Sequence, residues 1–456
     1  YCRLNLAIKM SKTACISIDQ EENKEPSAKK YDTAPGDTPR KLRLMRLRND
    51  MPYDMTQHKP RRIALFSGNY NYVMDGPVRA LNKLVGYLEK RGIEVLIFAP
   101  TAKTAAFQHE GTLISVPSVP LPGRGEYRIA LGMPRAIKRK LADFAPDMIH
   151  LAAPDLLGRG ALKWAEENNV PAVASFHTRF DTYPRYYKMA WLEKHVTAYM
   201  RRFYHRCEQV YVPSPCMAEE LQAQNMADNI GIWSRGVDTK TFNPKRRDMA
   251  WRRSMGVADD EAVIAFVGRL VLEKGLGIFA DTLDVLEKRG LKFKALIVGD
   301  GPEHERFSNR LPDAIFTGYL NGESLARAYA SADVFFNASI TETFGNVTLE
   351  AMASGLPAVC ADATGSRSLV SHGETGFLAA SLDPVVFADH LQSIIPSTTL
   401  KTDMATASLK RSQDYTWDAV LGRLYEQYTD VMVTCASATT SKKAKRSLRP
   451  TVSAAE

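Results

Sequence analysis

Two glutamates stand eight positions apart in SITETFGNVTLEAMASGLP (residues 339–357), with Phe-Gly-Asn between them. The helical pattern begins about Phe344 or Gly345, which leaves Glu342 in the preceding loop and turns the amides of Gly345, Asn346 and Val347 outward. Amides at a helix start lack intrahelical acceptors and attract phosphate. Eight residues of continuous helix are ~2.2 turns, so Glu342 and Glu350 can share a face. One carboxylate can then reach a sugar beside the phosphate, and the other can accept hydrogen bonds from a ribose diol. A dipole-favoured Glu at a helix start plus a solvated mid-helix Glu would give the same letters. Glu350 speaks against that reading, because it interrupts an apolar run where an unpaired charge is costly.

A second cluster lies in FVGRLVLEKGL, where a strand ends at Gly268 and is followed by Arg269 and Lys274. Arg as a fork and Lys as a point charge suit a diphosphate. Two surface cations beside a turn would read the same. VGDGP (298–302) is read as a turn only. His177 closes the strand in SFHTRFDTYP; a satisfied core histidine is the commoner explanation, and a position facing a ligand cleft is the alternative. Gly76, in MDGPVRA, opens a helix and either lets backbone approach a diphosphate or serves as a turn glycine.

These residues need strand ends to hold them. From residue 61, near-continuous apolar runs (RRIALFSG, EVLIFAP, DMIHLAA, PAVASFH, QVYVPS) alternate with helical patterns, as expected of parallel strands buried on both faces. The rhythm restarts after a charged, turn-rich linker at 235–256 with AVIAFVGRL, FKALIVGDG, AIFTGYL, DVFFNAS, PAVCAD and TGFLAA. The fold class is α/β, with two doubly wound, Rossmann-like domains facing across a cleft. The expected limits are an extension at 1–60 that is disordered or non-native (Met55 precedes the first strand, so 1–54 is in doubt), one domain at 61–245, a second at 246–415, an amphipathic helix at 416–433 packing back on the body, and a disordered basic tail at 434–456.

The formal charge of +9 is unevenly spread: residues 61–245 carry 25 Lys and Arg against 17 Asp and Glu, residues 246–436 carry 18 against 25. Such asymmetry marks an interaction face on the first half, without the basic, aromatic groove of a nucleic-acid binder. No apolar run reaches the length of a membrane span. Six scattered cysteines, with no C-x-x-C and no zinc spacing, indicate a reducing, cytoplasmic compartment and no structural metal. There is no P-loop, no G-x-G-x-x-G after the first strand, no H-E-x-x-H, no G-x-S-x-G and no Asp-x-Asp for a divalent cation.

The motifs FVGRLVLEKG, VGDGP, FTGYL, LARAYASADVFFNASITETFGNVTLEAMASGLPAVCAD and GETGFLA resemble those of the GT-B-fold retaining glycosyltransferases of family 4, over roughly residues 61–433. Glu342 and Glu350 match that family's paired-glutamate signature. SFHTRFDTYPRYY, RGVDTKTFNP and TETFGNVTLEAMASGLP look most like the GDP-mannose-dependent α-mannosyltransferases, with sulfoquinovosyl-diacylglycerol synthases similar in the same segments. The resemblance implies that Arg269 and Lys274 bind the donor diphosphate and that Glu342 bonds the donor sugar. It implies that Gly345, Asn346 and Val347, beside Phe344, supply backbone contacts, that Glu350 binds the ribose, and that Tyr319 and Leu320 lie by the base. Gly268, Gly76 and His177 complete the site. One departure is ADATGS (361–366), where Thr364 replaces a glycine common in the family.

The expected reaction moves a hexose, mannose from GDP-mannose, to a hydroxyl of a lipid or glycolipid at an anionic membrane surface on the cytoplasmic side. It proceeds with retention by same-face attack and without metal or cofactor. A UDP-sulfoquinovose or other UDP-sugar transferase, a sugar-nucleotide epimerase and an inactive GT-B scaffold are the alternatives.

Overall fold

In the computed structural model, which describes residues 59–73, 75–121, 124–176 and 190–447, the alternation of apolar runs and amphipathic segments becomes two parallel sheets. The first sheet contains β1 (Arg62–Phe66), β2 (Glu94–Ala99), β3 (Thr112–Ser115), β6 (Met148–Leu151), β7 (Ala172–Ser175), β8 (Gln209–Val212) and β9 (Ile230–Ile232). Their spatial order is β3-β2-β1-β6-β7-β8-β9. A separate antiparallel hairpin, β4 (Ser118–Leu121) and β5 (Arg124–Ala130), stands between β3 and β6 in the chain. The second sheet runs β12-β11-β10-β13-β14-β15, from β10 (Ala262–Val267), β11 (Phe293–Val298), β12 (Ile315–Gly318), β13 (Val334–Asn337), β14 (Ala358–Ala361) and β15 (Gly376–Ala379).

Strands buried on both faces need apolar residues at consecutive positions, and β6, β7, β13 and β14 are buried along their whole length. The helices covering the first sheet are α1 (Gly76–Glu89), α2 (Arg135–Phe144), α3 (Leu156–Asn168), α4 (Glu193–Tyr204) and α5 (Pro215–Ala223). After α6 (Met249–Ser254), the second sheet is covered by α7 (Leu276–Lys288), α8 (His304–Arg310), α9 (Gly322–Ala330), α10 (Asn346–Ala353), α11 (Thr364–Leu369), α12 (Pro384–Ile394) and α13 (Thr398–Ser412). Strand order reverses between β1 and β6 in one sheet and between β10 and β13 in the other. Ligands of doubly wound folds bind outside the carboxyl ends of the strands at such points.

Two departures from the expected layout have local causes. The segment 235–256 is not a bare linker: α6 forms within it, and Arg252 is buried with Nη1 donating to Asp333 Oδ2 at 2.9 Å and to the Ser331 carbonyl at 2.7 Å. The last helix, α14 (Trp417–Ser447), runs past Val433 through the first part of the expected disordered tail. No Gly or Pro interrupts the chain between Gly422 and Pro450, so nothing local stops it. Of the expected extension at 1–60, residues 1–58 lie outside the described residues.

Helix α14 does pack back, onto the first sheet. Val420, Leu421, Leu424, Tyr428 and Val431 are buried together with Ile63 and Leu65 of β1 and Leu81, Leu84 and Leu88 of α1. A polar clasp fixes the contact: fully buried His150 shares a hydrogen bond with the Tyr428 hydroxyl at 2.5 Å through Nδ1 and with Ser175 Oγ at 2.8 Å through Nε2. Burial pushes the His150 pKa down to about 3, so the ring is neutral.

Candidate active site

Four loops of the second half meet at its switch point. Beyond β10, Gly268 donates its N–H to the Val298 carbonyl at 3.0 Å, and Leu270 donates to Asp300 at 3.0 Å. The VGDGP turn lies flat on this backbone. A Cβ on Gly299, whose φ is +137°, would stand 1.9 Å from the Gly268 carbonyl oxygen, and one on Gly301 would stand 2.3 Å from that of Leu270. Those glycines therefore serve the turn, as the sequence reading held. Arg269 emerges exposed from the braced segment.

A short 3-10 turn, Leu272–Lys274, follows and ends at Gly275 with φ +72°. A Cβ there would meet the Ala338 carbonyl oxygen at 2.7 Å, so glycine lets the turn pass close to the end of β13. The β13 loop is tied to the same turn by Ser339 Oγ, which donates to the Glu273 carbonyl at 3.3 Å. The result is an ion pair between Lys274 Nζ and Glu342 Oε1, with the two side chains 25% and 17% exposed. Two residues 68 positions apart thus face one spot, still open to a ligand.

Glu342 is held from behind as well. Its carbonyl accepts the Gly365 N–H at 2.9 Å, and a Cβ on Gly365 would lie 2.7 Å from that oxygen. In ADATGS, the glycine the backbone requires is the one present, and Thr364 merely begins α11. Helix α10 starts at Asn346, capped by Gly345 at φ +96° and ψ +56°. Glu342 lies outside it, so the two glutamates converge through a left-handed bend rather than along one helical face. Asn346 is exposed and Val347 half-buried. Phe344 is buried against Tyr415, with ring centroids 5.8 Å apart, and packs in a cluster with Leu349, Met352 and Leu369. Its side chain belongs to the core, and only its backbone can face a ligand.

Glu350, on α10, accepts a hydrogen bond from the Tyr329 hydroxyl at 3.2 Å. Burial pushes its pKa up to about 7, against the pull of Tyr329 and of Arg79. Arg79, in the first turn of α1, acts on Glu350 from the other half of the molecule. Nearby, Gly76 opens α1 behind the Asp75 cap, and a Cβ on it would come within 3.8 Å of Asn346 Nδ2. The α1 start therefore faces the α10 start. Ser214, which caps α5, donates to the Thr343 carbonyl at 3.3 Å, next to Glu342. Arg79 and Ser214 escaped the sequence reading; only the place of Arg79 three residues after Gly76 hinted at it. Tyr319 is 72% exposed just past β12, Leu320 is half-buried beside it, and His177 falls outside the described residues.

Among the described residues no group of three His, Cys, Asp or Glu side chains is placed to hold a metal ion, and no helix is long and apolar enough to cross a membrane.

This geometry sits in a recognisable frame. Residues 74–241 match the family model Glycosyltransferase Family 4, and residues 261–396 match Glycosyl transferases group 1. The GDP-mannose-dependent alpha-mannosyltransferase of Corynebacterium glutamicum is 32% identical over 383 residues, covering 82% of this chain and 90% of that protein. The chain belongs to glycosyltransferase family 4. The enzyme is also 32% identical to the sulfoquinovosyl transferase SQD2 of Arabidopsis thaliana, across 81% of this chain and 74% of that one. Its fold is shared with the sucrose-phosphate synthase of Thermosynechococcus elongatus, with a TM-score of 0.66 and 20% identity over 82% of this chain and all of that one. The transferase is thus a GT-B hexosyltransferase, acting with a nucleotide-sugar partner.

Proposed function

We propose that the enzyme moves a hexose, mannose from GDP-mannose, to a hydroxyl of a lipid or glycolipid acceptor with retention at the anomeric carbon. The observation that carries the proposal is the convergence of Lys274, Glu342, the Gly345 bend and Glu350 at one switch point, with Arg269 on the neighbouring loop. Lys274 and Arg269 take the donor diphosphate, with the first-turn amides of α10. Glu342, already paired with Lys274, accepts a sugar hydroxyl, and Glu350 accepts the ribose diol. Tyr319 and Leu320 flank the base, and Gly76 gives the α1 backbone room on the opposite wall. In this reading His177 faces the donor.

The step breaks the bond between C1 and the diphosphate oxygen and forms one between C1 and the acceptor oxygen on the same face. The acceptor proton passes to the departing phosphate. Charge building on that phosphate is met by preplaced cations and amides, so the scheme needs no metal; transfer that survives excess chelator is the expected result. The first half supplies the acceptor side, and its basic surface suits an anionic membrane.

A second donor, UDP-sulfoquinovose, is favoured by the equal 32% identity to the Arabidopsis protein. Transfer to a lipid extract, assayed separately with GDP-mannose, UDP-glucose and UDP-sulfoquinovose, decides between them. Product from GDP-mannose alone supports the first reading, and product from UDP-sulfoquinovose alone replaces it with the second.

A further inference from the structure

Helices α3 and α4 of the first half, tied by Arg206 and Glu166, leave between them a cavity of about 270 Å³. It is lined by Arg159, Tyr199, Arg202, Phe203 and Arg206. This is room for a phosphate group and hydrating water. Phe203 is buried and forms an apolar wall, Tyr199 is half-buried, and the three arginines are exposed.

Their donors are largely uncommitted. Arg206 grips Glu166 with Nε at 2.7 Å and Nη2 at 2.5 Å, leaving Nη1 unclaimed among the described residues. Arg202 spends only Nε, on the Ala198 carbonyl at 3.2 Å. Arg159 has no hydrogen-bond or ion-pair partner among the described residues. The nearest acids are accounted for: Asp155 caps α3 through the Gly158 amide at 2.7 Å, and Glu166 is matched by Arg206. Three guanidinium groups around one concavity favour a doubly charged, multidentate oxyanion over a chloride-sized ion.

We infer that the α3–α4 cavity is a cradle for a phosphate-type oxyanion, and that an anionic lipid headgroup supplies it. The source is indicated by exposed apolar side chains on the elements that line the cavity. Trp191 is 71% exposed and Leu156 is 54% exposed. Leu156 stands one turn before Arg159 on the same face of α3, and Trp191 lies in the 3-10 turn Ala190–Leu192 that leads into α4. Apolar side chains beside arginines are the arrangement a phospholipid surface binds, tails next to charge. The choice of source rests on the lipid-acceptor reading; the cradle itself does not.

The test uses the full chain, the double variant Arg159→Gln/Arg202→Gln, and a control, Lys138→Gln/Lys140→Gln, which removes equal charge from exposed sites on α2. Partitioning onto vesicles of phosphatidylglycerol and phosphatidylcholine is measured by co-sedimentation. Each cation near an anionic surface is worth about fivefold, so the Arg pair lowers partitioning roughly thirtyfold, and the control falls clearly less. Equal losses in both variants, or none in the Arg pair, overturn the cradle. Thermal shifts with inorganic phosphate run in parallel. A shift in the wild type that the Arg pair loses, without vesicle binding, keeps the cradle and overturns the lipid source. Sugar transfer to detergent-dispersed lipid is scored separately: vesicle binding through the arginines with no glycosylated lipid would sink the acceptor reading and leave the cradle standing.

Discussion

At the scale of single residues, the site's two acids sit in different surroundings. Glu342 is neighboured by a cation, whereas Glu350 is half-buried, with desolvation pushing its pKa up to about 7. Because the folded pKa of Glu350 lies above its ordinary value, its contribution to stability is present below about 4.5 and is lost as pH rises through about 7. A ribose that donates hydrogen bonds to it favours the carboxylate, so nucleotide affinity moves the opposite way. We expect GDP affinity by titration calorimetry to rise by up to about tenfold per pH unit until about pH 7 and then level, and Glu350→Gln to flatten that profile. If Lys274 meets leaving-group charge as proposed, Lys274→Ala should lower single-turnover transfer by about 10²–10³-fold. An unchanged rate would remove Lys274 from the mechanism. Lys274, Glu342 and Glu350 were legible because strand ends and a helix start place them wherever the rest of the chain goes. Arg79 and Ser214 were not, since each meets its partner only after the two halves come together.

At the scale of elements, the loops are shaped by what they cannot accommodate. Gly299→Ala would force a methyl into the Gly268 carbonyl at a φ that other residues avoid, and a loss of at least about 2 kcal/mol is expected in denaturant unfolding. Gly365→Ala sets its methyl against the Glu342 backbone instead. It should lower turnover more than it lowers the melting temperature, since the loop it displaces carries Glu342. Long apolar strands such as β1, β10 and β11 were readable as sequence, because burial on both faces leaves a continuous signal. The strands β3 and β9 were not: Thr112–Ser115 is partly exposed at a sheet edge, and Ile230–Ile232 has three residues with a glycine among them. The hairpin β4–β5 pairs Val119 with Ile129, both exposed, and only Ala130 at its end joins the core among the described side chains, too little to give a readable pattern.

At the scale of the molecule, α14 belongs to the first half although it follows the second in sequence. Tyr428→Phe leaves His150 Nδ1 without its partner in a closed interior, a loss of about 1–3 kcal/mol by thermal unfolding. Because the His150 pKa lies below its ordinary value, the stability it gives is full above about pH 6.5 and fades as acid is added toward pH 3. Ending the chain at Thr416 strips five buried side chains from β1 and α1. At about 2 kcal/mol each, that is comparable with a whole domain's stability, and such a chain should fail to fold, as circular dichroism would show. The return of α14 also means that the polypeptide crosses between the halves twice. The crossings touch, with Val237 bridged to Thr416 and Gly236 pressed on the Trp417 ring, where a Cβ would lie 2.4 Å away. A lobe hung from one thread can swivel in any direction. Two threads laid side by side resist torsion and leave flexing about their common line as the compliant motion between the halves.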